Sequence, residues 1–189
     1  MLERFLKEFG DRLYHRRDGF AFIILKLQQL ARPVFIVETG TARQQNNWMG
    51  DGQSTLIWDW VMRQVGDYAV SIDIDEKAVA LAHKQCSHVY CKHADSQQFL
   101  RGLVDADKVD LLFLDAYDWG DTKLQNTLSE LHHIGELAAI YERLRPGCLI
   151  AVDDCHGIDR GKHVLVQEFF QRLGVEPKHR SYLTVWQKP

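Results

Sequence analysis

Hydrophobic positions along this chain switch between two periods. Leu2, Phe5, Leu6, Phe9 and Leu13 recur at helical spacing, which predicts an amphipathic first helix. A second helical stretch, Phe20 to Leu30, ends ahead of Pro33. From there, short apolar runs alternate with helical patterns. Val34–Val37, Tyr68–Ile74, Val89–Lys92, Val109–Leu114 and the run Cys148 to Asp154 read as strands. Leu56–Val65, Glu76–Lys84, Ser96–Leu103, Leu124 to Leu144 and Lys162–Leu173 read as the helices between and after them. A last apolar run, Tyr182–Gln187, has no helix after it and is expected to join the sheet antiparallel. The alternation predicts an α/β fold with a doubly wound, mostly parallel sheet covered by helices on both faces. There is no repeat, low-complexity tract or linker, so residues 1–189 read as one domain, with 1–32 as an N-terminal helical cover.

Composition narrows the picture mainly by exclusion. Hydrophobic residues make up 46% and charged residues 26%, as expected of a soluble globular protein. A net charge of -3 gives no electrostatic reason to expect nucleic acid, and Arg16-Arg17 is too short to track phosphates. The longest apolar run, Phe20 to Leu25, is too short to span a bilayer, so no membrane partner is expected. The opening "MLERFLKEFGDRL" lacks a signal peptide's continuous apolar region, and the expected location is cytoplasmic. Cys86, Cys91, Cys148 and Cys155 form no CxxC pair and are expected to be reduced thiols. His83, Cys86, His88, Cys91 and His93 crowd together, but they alternate across a helix end and a strand, so core and surface roles outweigh a zinc site.

Chemistry concentrates where the strands end. Strand one runs into Glu38-Thr39-Gly40, strand two into Asp73-Ile74-Asp75, and strand three into Ala94-Asp95-Ser96. Strand four ends at Asp115 and strand five at Asp153-Asp154. Any one of these acids is explained as a turn former or helix cap. Together they converge on the sheet edge where such folds bind ligands, and they repel one another unless a cationic or hydroxyl-rich ligand offsets them. A nicotinamide dinucleotide would need G-x-G-x-x-G straight after strand one. Here Gly40 stands alone, and Glu38 is ill suited to a pyrophosphate.

The residues "VETGT", "SIDIDEKAVALA", "KHADSQQFL" and "LRPGCLIAVDD" resemble, in order and spacing, the motifs of the class I S-adenosylmethionine-dependent methyltransferases, over roughly Val34 to Asp154. The resemblance implies a Rossmann-like sheet and S-adenosylmethionine as cofactor. It implies that Glu38, Gly40 and Thr41 cradle the methionine end and Ser54 caps the returning helix. Asp73 would take the ribose hydroxyls beside Ile74, Asp95 and Ser96 would lie by the base, and Asp115 would border the cofactor. "FLDAYDW" with "AVDDC" is similar to the metal-dependent small-molecule O-methyltransferases of the catechol and macrolide-sugar types. That likeness implies a divalent cation such as Mg²⁺ on Asp115, Asp153 and Asp154, and a small hydroxylated acceptor. The catechol enzymes carry a lysine three residues after the first metal Asp; this chain has Asp118 there. The base is therefore expected elsewhere. Either His156 serves, with its readings as a ligand or a plain loop residue left open, or the metal alone acidifies the hydroxyl. In a metal-free transfer Asp115 and Asp154 would be the bases.

A second departure is the insertion "ARQQNNWM", after which Gly52-Gln53-Ser54 would resume the motif. Arg43, Asn46, Asn47 and Trp48 are expected near the transferable methyl, facing acceptor or a second subunit. The first two helices are expected over the site or against a homodimer partner. Three alternatives stay open: a metal-free transfer to nitrogen or oxygen, a dinucleotide-dependent oxidoreductase, and a cofactor-binding protein without catalysis.

Overall fold

The computed structural model describes all of residues 1–189 except Gly52 and Asp67. Among the described residues there are seven strands: β1 (Phe35–Thr39), β2 (Tyr68–Asp73), β3 (Tyr90–His93), β4 (Leu111–Leu114), β5 (Leu149–Val152), β6 (His179–Arg180) and β7 (Thr184–Gln187). Seven α-helices accompany them: α1 (Leu2–Phe9), α2 (Arg17–Gln29), α3 (Ser54–Val65), α4 (Glu76–Gln85), α5 (Ser96–Gly102), α6 (Lys123–Ile140) and α7 (Val164–Arg172).

The strands form one sheet in the order β3-β2-β1-β4-β5-β7-β6. β1 pairs in parallel with both β2 and β4, so the chain reverses direction across the sheet beside β1. That reversal opens a crevice at the carboxyl ends of β1 and β4. β7 pairs antiparallel with β5, as the terminal apolar run predicts.

Side chains alternate across the pleat. Ile36, Phe113, Ala151 and Val185 join one core with α1, α2 and α3, through Phe5, Phe9, Phe20, Ile24, Ile57 and Trp58. Val37, Leu112, Leu114, Ile150 and Trp186 join the other, with Leu100 of α5, Leu137 and Ile140 of α6, and Val166 and Phe170 of α7. Both sheet faces are thus covered, which is why β1, β4 and β5 are apolar at successive positions rather than alternating.

Several element boundaries differ from the sequence expectation by a few residues. The first helix ends at Phe9 rather than Leu13, and a 3-10 turn, Tyr14–Arg16, follows. Gly10 and Asp11 interrupt the apolar pattern with two poor helix formers. Leu13 is still buried, from the turn rather than from a helix. The helix over 162–173 begins only at Val164, leaving Lys162 in the turn before it. β6 is two polar residues long, too short for any periodic signal.

Candidate functional site

At the end of β1 the chain turns under β4. Gly40 adopts φ 80°, and a Cβ there would stand 2.5 Å from the Asp115 carbonyl oxygen, so only glycine fits both the backbone and the space. The next amide, Thr41, donates to Asp73 Oδ2 at 3.0 Å, while Asp75 N donates to Asp73 Oδ1 at 2.8 Å. Asp73 therefore already organises the loop, with lone pairs left on both oxygens. Ala42 N donates to Thr55 Oγ1 at 3.0 Å, and Thr55 Oγ1 donates to Glu38 Oε2 at 2.7 Å.

Glu38 is fully buried beneath this turn and also accepts from Trp58 Nε1 and Ser71 Oγ. Burial pushes its pKa up to about 7, against the pull of its hydroxyl and indole donors. Its carboxylate ties β1 to β2 and α3, supporting the cradle from below. Ser54 is the first residue of α3; the capping position is Gln53, in a left-handed conformation, with no side-chain cap bond. Ser54 therefore does not cap α3 as expected. Gly52, expected to resume the glycine motif, lies outside the described residues.

Toward β3, Asp95 caps α5 by accepting from Gln98 N at 2.8 Å. Ile74 is 72% exposed just after β2. Ser96 Oγ lies 3.2 Å from His132 Nε2, which lies 3.1 Å from Glu136 Oε1. Glu136 Oε2 accepts from Thr39 Oγ1, closing a chain of polar groups from α6 to the end of β1. His132 and Glu136 carried no motif in the sequence; their spacing of four on α6 was the only available signal.

The carboxylates of β4 and β5 converge as expected, and so do two cations that sequence reasoning missed. Lys162 Nζ bonds Asp115 Oδ1 and reaches Asp154 Oδ2 at 2.8 Å. Arg16 Nε donates to Asp153 Oδ2 at 2.7 Å and its Nη2 to Asp154 Oδ1 at 2.9 Å. Arg16, Asp153 and Lys162 are buried, and the Asp115 and Asp154 side chains are 17% and 20% exposed. Burial pushes Asp115 well up and disfavours the charge on Lys162, but Asp115 and Asp154 together hold Lys162 firmly as an ammonium. Asp154 is lowered, because Lys162 and Arg16 outweigh its desolvation.

This donor set does not fit a resident divalent cation. Of the six carboxylate oxygens, five already accept: Asp153 Oδ1 from Asp154 N, Asp153 Oδ2 and Asp154 Oδ1 from Arg16, and Asp154 Oδ2 and Asp115 Oδ1 from Lys162. A cation would have to displace a buried ammonium held by two of the expected ligands. No cluster of three His, Cys, Asp or Glu residues is arranged to hold a metal among the described residues.

Local backbone geometry explains how Lys162 arrives. Asp154 sits at φ 52°, an uncommon region that Asp tolerates better than most residues. Cys155 bridges Gly161, His156 N donates to Arg160 O, and Lys162 N donates to Asp154 O at 3.3 Å. A Cβ on Gly161 would lie 2.5 Å from the Asp154 carbonyl oxygen, so a glycine there lets the loop fold back and deliver Lys162.

Arg16, Asp115, Asp154 and Lys162 line a cavity of about 350 Å³, with Arg43 and Asp118 among the residues around it. Arg43 clasps Asp118 with two bonds, at 2.9 and 2.7 Å, joining the inserted loop to the segment after β4. The Arg43 bonds hold the Asp118 pKa down. His156 is largely exposed and lies 5.1 Å edge-on to Tyr182; partial desolvation lowers its pKa. The buried Nε1 of Trp119 has no hydrogen-bond partner among the described residues.

Trp48 does not face this cavity. It packs 5.4 Å from Phe9, with Arg12 5.5 Å over its ring. Asn47 closes the loop on itself, pairing with Gln44 and Gly50. Of the cysteines near His88, Cys86 and Cys91 are buried thiols whose pKa values are raised by desolvation.

No protein-family model matches the chain, and no curated protein does. Solved structures do. TrmN from Thermus thermophilus is 18% identical at TM-score 0.53, over 88% of this chain and 47% of that one. MycE methyltransferase from the mycinamycin biosynthetic pathway, in complex with Mg and S-adenosylhomocysteine, is 13% identical at TM-score 0.57, over 82% and 45%. The O-methyltransferase NovP is 15% identical at TM-score 0.56, over 87% and 76%. The chain thus spans about half the length of the first two. The chain shares the fold of these solved structures, the second and third of them methyltransferases. No helix among the described residues is long and apolar enough to cross a membrane.

Proposed function

We infer that the chain transfers a methyl group from S-adenosylmethionine to a small hydroxylated acceptor. The observation that carries this reading is the adjacency of two sites at one sheet edge. The Gly40–Thr41 turn, backed by Asp73, offers the cofactor cradle, and the turn touches Asp115 of the acid–cation cluster. A polar cavity lies beside them, of a size for a small molecule. The methyltransferase fold supports the choice of cofactor, and the isolated Gly40 weighs against a dinucleotide.

The reaction is an in-line displacement. The acceptor oxygen bonds the methyl carbon as the carbon–sulfur bond breaks, and the sulfonium becomes a neutral thioether. The acceptor's proton must go to the protein. Asp115 Oδ2 is the one carboxylate oxygen in the cluster with no donor among the described residues, and burial makes this carboxylate more basic than it is in water. Three carboxylates face two cations, so the ionised cluster carries one excess negative charge. That charge favours a sulfonium nearby and is removed when the acceptor's proton arrives. Asp154, held ionised, positions Lys162. The protein's main contribution is alignment of donor and acceptor. The resemblance to metal-dependent enzymes implies a cation that this donor set does not accommodate.

Titration calorimetry separates the classes. S-adenosylhomocysteine should bind and NAD should not. Binding of NAD, with none of S-adenosylhomocysteine, would replace this reading with an oxidoreductase.

A further inference from the structure

We propose that Lys162 is a built-in cation standing where divalent-metal chemistry would otherwise be needed, so that this site operates without a metal. The catalytic meaning of the proposal rests on the methyl-transfer reading; its charge argument does not.

Lys162 is not a surface lysine that has folded inward by chance. Its side chain is 1% exposed, and an ammonium so placed survives only with charged partners. It has two, Asp115 from the end of β4 and Asp154 from the end of β5. The same two carboxylates are two of the three expected metal ligands. The loop that delivers it is specified by its own backbone: the Cys155–Gly161 bridge, the Lys162 amide on Asp154, and a glycine where any Cβ would strike the chain. Arg16 completes the neutralisation from the opposite side, taking Asp153 and the other oxygen of Asp154.

An ammonium has three N–H donors, and two are spoken for. The third would serve an acceptor oxygen in the cavity that Lys162 lines. Lys162 thereby does two things a metal would do: it holds the carboxylates at fixed separation and presents positive charge to the oxygen that loses its proton. It does not take that proton; Asp115 does. Lys162 is in this sense a positioning residue for Asp115.

The test reads metal binding rather than turnover. Wild-type protein titrated with Mn²⁺ and followed by electron paramagnetic resonance should bind none at millimolar concentration. Its melting temperature and its affinity for S-adenosylhomocysteine should be the same in Mg²⁺ and in EDTA. Lys162→Met leaves three carboxylates with one cation and should bind Mn²⁺ with a dissociation constant of roughly 0.1 mM or below, at least about tenfold under the millimolar limit at which wild type binds none, with a melting temperature that Mn²⁺ raises. Lys162→Arg keeps the charge and should gain nothing. A lysine serving only to stabilise the fold would give no such difference between the two variants.

Wild-type Mn²⁺ binding, or a Lys162→Met variant that folds and stays metal-free, would overturn the proposal. If Lys162→Met does not fold, the wild-type titration decides alone: binding overturns the proposal and its absence supports it. Failure of S-adenosylhomocysteine to bind wild type would instead remove the methyl-transfer reading, leaving the metal titration to stand on its own.

Discussion

Arg16 donates its Nε to Asp153 Oδ2 at 2.7 Å, joining positions 137 residues apart in sequence. Its Nη1 also donates to Met49 O at 2.9 Å, and its guanidinium lies 4.7 Å over the Tyr182 ring. The segment between α1 and α2 is therefore part of the site's floor, and it anchors the inserted loop as well.

Removing that guanidinium leaves Asp153 buried without its cation. Arg16→Met should destabilise the protein by about 3–5 kcal/mol, the usual consequence of breaking one side of a buried ion pair. Urea unfolding measures it. A loss below about 1 kcal/mol would mean that water replaces Arg16 and that the pair is not structural.

Asp73 should matter to cofactor affinity more than to stability. Its oxygens already hold the amides of Thr41 and Asp75, and they retain acceptor capacity for a ribose diol. Asp73→Ala should weaken S-adenosylhomocysteine by on the order of tenfold or more in calorimetry. An unchanged affinity would show that the diol is held elsewhere.

The clasp between Arg43 and Asp118 lies in the cavity lining and is partly exposed, 43% and 51% at the two side chains. Such a pair contributes little to stability, about 0–1 kcal/mol. Its expected effect is kinetic. Arg43→Ala should leave the melting temperature almost unchanged and speed release of S-adenosylhomocysteine in stopped-flow displacement. Equal release rates would show that the loop does not close the site.

Much of this arrangement was legible in the sequence, and the remainder was hidden for identifiable reasons. The strands and helices announced themselves because both sheet faces are buried, giving runs such as "VDLLFLD" that no other element explains. The convergence of Asp115, Asp153 and Asp154 followed from the topological rule that strand ends share one edge. What neutralises them did not follow. Arg16 is one of an adjacent arginine pair with no periodic signature, and Lys162 sits in a turn whose backward fold depends on Gly161, eight positions beyond Asp153. Charge pairing at long sequence separation leaves no pattern for a reader of one chain. Trp48 was misplaced for a similar reason: its partner is Phe9, on a helix read as a separate cover.

Glu38 offers a test through pH. Its carboxyl is fully buried, and desolvation raises its pKa from 4.5 to about 7 in the folded protein. An acid with a raised folded-state pKa binds its proton more tightly when folded. Its favourable contribution is complete below the unfolded value and is lost as pH rises through the folded one. Stability should therefore fall between about pH 4.5 and pH 7, by up to about 3–4 kcal/mol from this group, and level off above. Glu38→Gln keeps the shape and removes the titration. Thr55 and Ser71 can turn their hydroxyls toward the amide, so the variant should still fold. Denaturant unfolding across this range should show a slope in wild type that is reduced in Glu38→Gln, with the variant the more stable of the two above pH 7. If the two proteins keep the same slope, Glu38 is ionised throughout, held so by Thr55, Ser71 and Trp58, and the pH dependence belongs to the carboxylates around Lys162.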